Sequence, residues 1–299
     1  MMTDQAAIVP HRGNVLMHIK NSLSLSKIHL SLFVAFSSYF GFLLNTPQFQ
    51  NRGWIVAAGV FFLSCGCATL NNIQDRHIDA LYKRTRNRPL PIEAVSIRYA
   101  SIQFYLLMVA AFILLVYCLE TPLPALLGLL SIVLYNGCYT HLKKRTLFAI
   151  IPGAICGMLP PLIGWTASGG NQTGATILIV MMLFGIWQLP HTWLVMLRHL
   201  PDSSDGPLPG FPDYFRKASL KRILFIWVSA FAVLMLLISC APPLTDLARW
   251  LIIINAAGLV SGFAIGLFIR KETSYRRMFI HLNLSLLLLM ISVFLKDFF

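Results

Sequence analysis

The sequence predicts an all-α fold, a polytopic membrane bundle of about nine transmembrane helices. Three observations lead there. Of 299 residues, 57% are hydrophobic and only 12% charged, a balance foreign to an ordinary soluble domain of this length. Runs of about twenty apolar residues, the length that crosses a bilayer, recur along the whole chain. The basic residues, finally, cluster between alternate runs.

Taken in order, residues 1–27 are polar and lack a short apolar core ending in a small-residue cleavage site. They are expected to form a cytoplasmic N-terminal segment, with residues 28–299 as a single transmembrane domain. Spans are expected at 28–46, 54–72, 101–119, 122–140, 147–167, 174–196, 222–240, 248–270 and 278–295. Only Glu120, Thr121 and Pro122 divide the third span from the fourth. The two longest connections, 73–98 and 197–221, both carry acids and follow spans two and six, which suggests a weak internal repeat. The stretch PDSSDGPLPGFPD at 201–213 is a loop by its Pro, Gly and Ser content.

A net charge of +13 raises the possibility of a nucleic-acid partner, but its placement argues for topology instead. Of the 24 Lys and Arg, 21 fall on one side of the expected membrane, leaving Arg52, Arg249 and Lys296 on the other. The positive-inside rule then expects a cytoplasmic N-terminus, an outer C-terminus, the lipid bilayer as the surroundings and no nucleic acid. Cys65, Cys67, Cys118, Cys138, Cys156 and Cys240 lie in or beside apolar runs without a CxxC pair. They read as small buried apolar residues.

The chemistry concentrates in NNIQDRHIDALYKRTRNRPLP. Asn71, Asp75 and Asp79 are four residues apart, so on a helix they share one face. A carboxylate at membrane depth costs about 2.5–3.5 kcal/mol at a helix centre, which calls for a partner. Two Asp beside Lys83, Arg84, Arg86 and Arg88 suit a divalent cation and the phosphate or diphosphate it carries. His77 projects away from the acid face. A plain surface reading, with Asp79 paired to Lys83 at i+4, leaves the Asn–Asp–Asp stripe unexplained.

Two further polar groups sit in apolar runs. Tyr139 and Lys143 are an i+4 pair at the inner end of span four, either an interfacial pair or part of the same anion pocket. In WQLPHTW, Pro190 is expected to interrupt the sixth helix, beside Trp187, Gln188 and His191. His191 is then a candidate for binding or catalysis. Asp202 and Asp205 are candidates for a second metal site. An apolar bundle with acids and cations at its inner mouth suits a substrate with a diphosphate head and a hydrocarbon tail.

NNIQDRHIDALYKRTRNRPL resembles the first Asp-rich motif of the UbiA-type intramembrane prenyltransferases. The similarity continues through YTHLKKRTLFAIIPGAICGMLPPLIGWTASGG and WQLPHTW, which favour the heme-modifying branch of that family. The resemblance implies the UbiA-type fold, a plasma-membrane location and magnesium-dependent transfer of a farnesyl group. The donor would be farnesyl diphosphate and the acceptor a vinyl group of heme b, with addition of water, giving heme O for terminal oxidase assembly. Carried over by position, Asn71, Asp75 and Asp79 hold magnesium and diphosphate, and Arg84, Arg88 and Lys143 contact the diphosphate with Tyr139 nearby. Trp187, Gln188 and His191 lie on the heme side, His191 as iron ligand or as proton-handling group. Heme A synthase or oxidase assembly factors are the implied partners. The chain departs from the family pattern at His77, at Ala149 and in the second acidic region, PDSSDGPLPG. Two alternatives stay open: a UbiA-type enzyme acting on a quinone precursor or other lipid acceptor, and a non-catalytic heme-delivery protein. A transporter is disfavoured because the acids cluster at one membrane face.

Overall fold

The computed structural model describes residues 15–46, 48, 50–117, 121–198, 217–240, 244–270 and 272–294. Among them there are ten helices and no strand. Helix α1 (Val15–Leu25) precedes the membrane spans and exposes Leu16, Met17, Ile19 and Leu23. The sequence reading had no helix there. An apolar stripe of this kind outside a core suits the bilayer interface.

Among the described residues, nine helices are long and apolar enough to cross a membrane. They are α2 (Ile28–Asn45), α3 (Asn51–Asp79), α4 (Ile97–Tyr117), α5, α6 (Ile150–Ala167), α7 (Ala175–Arg198), α8 (Lys217–Ser239), α9 and α10 (Tyr275–Phe294). Helix α5 starts as Leu123–Ile132, continues as a π-helical stretch over Val133–Tyr139 and closes with one α turn, Thr140–Leu142. A 3₁₀ turn, Leu147–Ala149, leads into α6. Helix α9 runs over Asp246–Ala264 and also ends in a π turn, Ile265–Ile269. The chain is therefore a multi-pass membrane protein, and the nine candidate spans among its described residues match those its hydropathy predicts.

Three local expectations are corrected. Helix α3 runs from 51 to 79, not 54 to 72, so its 29 residues reach about 43 Å, well beyond a hydrocarbon core of about 30 Å. The helix carries through its polar inner end, as the four-residue spacing of Asn71, Asp75 and Asp79 expects, because their partners are buried alongside. Pro190 does not interrupt α7, which passes through it. Proline removes one backbone bond, and packing within a bundle holds the rest of the helix in register. Cys240, one residue past the end of α8, is exposed, Cys138 and Cys156 are only half-buried, and Cys118 lies outside the described residues.

Helix α3 is the most enclosed span, with 61% of its apolar window buried, whereas α4 keeps only 22% buried and turns Tyr105, Leu106, Val109 and Ile113 outward. Helices α2 and α6 pack backbone to backbone. A side chain at Gly41 would strike the Pro161 carbonyl, and one at Gly164 would strike that of Ser38. Small residues permit such approach where lipid supplies no hydrophobic drive between helices. One core cluster spans α2, α6, α7, α8, α9 and α10, and a second joins α2, α3, α4, α5 and α6. The space between α2, α3, α5, α6 and α7 is left as a cavity.

Candidate active site

Asn71, Asp75 and Asp79 lie along one face of the inner end of α3 and are 2%, 5% and 7% exposed. His77, on the other side of the helix, is exposed. Burial of two carboxylates demands compensation, and four cations supply it. Lys143 Nζ lies 2.5 Å from Asp75 Oδ2, Lys144 Nζ 3.0 Å from Asp75 Oδ1, and Arg88 Nη1 2.6 Å from Asp79 Oδ2. Lys27 Nζ donates to Asn71 Oδ1 at 3.0 Å. Asn71 Nδ2 in turn donates to Asp75 Oδ2 at 2.8 Å and to Thr140 Oγ1 at 3.1 Å. Burial pushes the Lys27 ammonium down to about 7, with Arg88 and Lys143 adding repulsion. Burial also lowers Lys143, against the pull of Asp75. Arg88, Lys143 and Lys144, with Lys27 about half charged at neutral pH, outweigh two carboxylates, the condition for capturing a polyanion.

Local backbone features put these groups in place. Lys27 sits at the corner between α1 and α2 in a left-handed conformation, φ 46°, which costs a non-glycine residue about 1–2 kcal/mol. The corner turns its side chain onto Asn71. The π-helical stretch of α5 lets Thr140 Oγ1 donate to the Tyr135 carbonyl while accepting from Asn71. It also sets Asn136, which donates to the Cys67 carbonyl at 3.0 Å and ties α5 to α3. π-Helical turns recur at functional sites for this reason, since they shift side chains out of the α register. Lys144 is anchored to the Gln74 carbonyl at 3.1 Å.

Behind this cluster lies a cavity of about 290 Å³. Its wall includes Cys67 and Ala68, one turn before Asn71, and Tyr139, whose ring centroid is 5.3 Å from Lys143 Nζ. Val60, Leu63 and Ile163 make its middle apolar, and Phe184, Trp187, Gln188 and His191 of α7 line another side. His191 is flanked by Trp187 at 4.4 Å and by Phe279 of α10 at 5.0 Å between ring centroids. Trp187 is buried, and its Nε1 has no hydrogen-bond partner among the described residues. An unmet buried N–H of this kind costs about 1–3 kcal/mol.

The structure thus brings together Asn71, Asp75, Asp79, Arg88, Lys143 and Tyr139, and places Trp187, Gln188 and His191 on the adjoining cavity wall. Arg84 is exposed on the turn that follows α3. Helix α3 ends at Asp79, so Arg84 and Arg88 share no helical face, and Asp79 pairs with Arg88 across the turn. Asp202 and Asp205 lie outside the described residues. Lys27, Thr140, Lys144 and Asn136 join the site without having been singled out. Lys27 and Lys144 had counted only as orientation charges, and nothing in their spacing marks them apart.

The donor set fits a magnesium ion that arrives with its phosphates. Asn71, Asp75 and Asp79 offer hard oxygens, and Asp75 Oδ1 is buried with only the Lys144 ammonium, 3.0 Å away, against it. Among the described residues no three His, Cys, Asp or Glu side chains converge into a preformed cage. Magnesium is commonly held by one or two carboxylates plus substrate phosphates and water, so the absence of a cage agrees with the donor set.

Residues 33–287 match the UbiA prenyltransferase family. The chain is 32% identical over 269 residues to the protoheme IX farnesyltransferase of Nitratidesulfovibrio vulgaris strain Hildenborough, covering 90% of this chain and 91% of that one. It is 33% identical over 225 residues to the protoheme IX farnesyltransferase of Geobacter sulfurreducens, covering 73% and 80%. Among solved structures, a digeranylgeranylglyceryl phosphate synthase superposes with a TM-score of 0.74 at 15% identity, covering 93% of this chain and 98% of that one. A UbiA homologue of Archaeoglobus fulgidus bound to GPP and Mg²⁺ superposes with a TM-score of 0.70 at 14% identity, covering 93% and 100%. The all-helical fold, the buried acid stripe and these matches lead to one conclusion: the chain belongs to the UbiA prenyltransferase family, and it is a membrane prenyltransferase similar to those called protoheme IX farnesyltransferase.

Proposed function

We propose that the chain transfers a farnesyl group from farnesyl diphosphate to a vinyl group of heme b, with addition of water, giving heme O. One observation carries this reading: the buried Asn71–Asp75–Asp79 stripe, ringed by cations, adjoins an apolar cavity lined on α7 by Trp187, Gln188 and His191. The names of the relatives support the choice of acceptor.

The diphosphate head binds at the α3 cluster. Arg88, Lys143 and Lys144 then exchange carboxylate oxygens, and Lys27 the amide oxygen of Asn71, for phosphate oxygens and take up the charge that builds on the departing diphosphate. Magnesium, held by Asn71, Asp75 and Asp79 when bound, adds Lewis-acid stabilisation of that same charge. The allylic C–O bond breaks with both electrons leaving on the diphosphate. Tyr139, Val60, Leu63 and Ile163 line the cavity and exclude water around the hydrocarbon chain. The vinyl π electrons of the porphyrin close the new C–C bond, and water adds to the resulting cation with loss of a proton. The unmet Trp187 N–H suits an acceptor on the bound porphyrin.

The same reading sets the α3 cluster at the cytoplasmic face of the plasma membrane, with the N-terminus inside and the C-terminus outside. It treats residues 28–299 as one catalytic domain, whose product passes to heme A synthase or oxidase assembly. The test is direct. Purified protein is incubated with heme b, farnesyl diphosphate and magnesium, and the heme is weighed by mass spectrometry. Gain of a farnesyl and a hydroxyl group, abolished by chelator, is the expected result. Heme that returns at its starting mass removes the proposal.

A further inference from the structure

His191 faces the cavity from α7, and its hydrogen bond runs to a different helix. Its Nδ1 lies 3.1 Å from Asn283 Oδ1 on α10. Asn283 is itself oriented, because its Nδ2 donates to the Phe279 carbonyl at 2.6 Å. That bond leaves Oδ1 as the atom turned toward the imidazole. An amide oxygen carries no proton, so the proton in the contact belongs to His191 Nδ1. The neutral ring then holds its lone pair on Nε2, the nitrogen that does not take part in the Asn283 contact. Trp187 and Phe279 pack against the ring and fix its plane. A histidine whose far nitrogen donates to a carbonyl is the arrangement that prepares the other nitrogen to bind a metal.

We propose that Asn283 is a positioning residue that holds His191 in the Nδ1–H tautomer, so that Nε2 serves as an axial ligand to the iron of a bound metalloporphyrin. The inference rests on the reading of heme as acceptor. Iron is the only group on that substrate for which a neutral imidazole lone pair is a strong donor, and coordination would fix the height and tilt of the porphyrin plane against α7. No imidazole takes part in the α3 cluster, whose nitrogens are the amide of Asn71 and the side chains of Lys27, Arg88, Lys143 and Lys144.

The test uses the full-length protein with heme b, absorption and resonance Raman spectra of the ferrous complex, and heme titration. The wild type should show an iron–histidine stretch. His191→Ala should lose it, and added imidazole should restore it. Asn283→Leu should weaken heme binding tenfold or more and lower the stretch, whereas Asn283→Asp, which offers a stronger acceptor oxygen, should retain binding and raise the stretch. Unchanged binding of a farnesyl thiodiphosphate at the α3 cluster certifies that each variant is folded. An unaltered stretch in His191→Ala overturns the proposal, as does an Asn283→Leu variant identical to wild type. If His191→Ala keeps the wild-type spectrum and loses turnover, Nε2 handles a proton instead and the ligation is wrong. The two readings separate cleanly. A wild type that binds heme through His191 without farnesylating it removes the proposed reaction alone, and one that farnesylates heme with His191→Ala spectrally unchanged removes this inference alone.

Discussion

The α3 cluster and the α7 wall of the cavity are built on opposite principles. At the cluster, one helix supplies the stripe Asn71, Asp75 and Asp79, and cations from three other segments converge on it. At the α7 wall, single polar groups on two helices meet by packing, as His191 does with Asn283. The first arrangement handles charge that changes during reaction and stays strongly polar. The second orients a flat apolar body and keeps its polar atoms few, consistent with ligand sites lined by rings and a small number of placed hydrogen-bonding groups. Substitutions at the two places should therefore fail in different ways.

The largest effect is expected at Asp75. Asp75→Asn removes a charge that two lysines contact, and turnover should fall by at least about 10²–10³-fold. Heme affinity, read by titration, should stay unchanged. A variant that loses both would erase the distinction between the two regions. Chelation of magnesium should mimic this variant and reverse on adding the metal back, as assayed by product mass.

A substitution in the seam between α2 and α6, two helices that line the cavity, comes next. Gly164→Leu drives a side chain into the α2 backbone at Ser38, so overpacking should lower stability by about 1–3 kcal/mol or more, visible as a lower Tm in detergent. Both affinities should drop together, since α2 and α6 line the cavity that joins the two sites. Loss confined to one substrate would mean the regions are mechanically independent.

Lys27→Gln should have the smallest effect. It keeps a donor for Asn71 but deletes one of four cations, so KM for farnesyl diphosphate should rise about tenfold while kcat changes less. An unchanged KM would place the diphosphate away from the α1–α2 corner.

The same contrast explains what the sequence made legible. Nine spans could be read because crossing a bilayer requires long apolar runs, and the observed bounds shift by only a few residues outside α3. Asn71, Asp75 and Asp79 could be read because a helical period brings them together within one segment. Lys27 could not, since its role depends on a left-handed corner that places α1 against α3. Asn283 was equally silent: one amide in an apolar span means little until α10 is known to pack on α7. Pro190 misled for the converse reason, because a local rule for breaking helices yields to the surrounding bundle. Local periodicity reveals a site carried on one helix and conceals one assembled from several.

The central claim is that diphosphate head and hydrocarbon tail occupy one continuous site, with the head on the α3 cluster and the tail in the cavity between α2, α3, α5, α6 and α7. It is tested most directly by a farnesyl diphosphate analogue carrying a photoreactive group at the tail terminus, bound with magnesium, irradiated and mapped by peptide mass spectrometry. Adducts on cavity residues such as Val60, Ile163 or Phe184, lost in Asp75→Asn, are the predicted result. Adducts on the outward face of α4, at Leu106 or Ile113, would show the tail lying in lipid and would contradict the account.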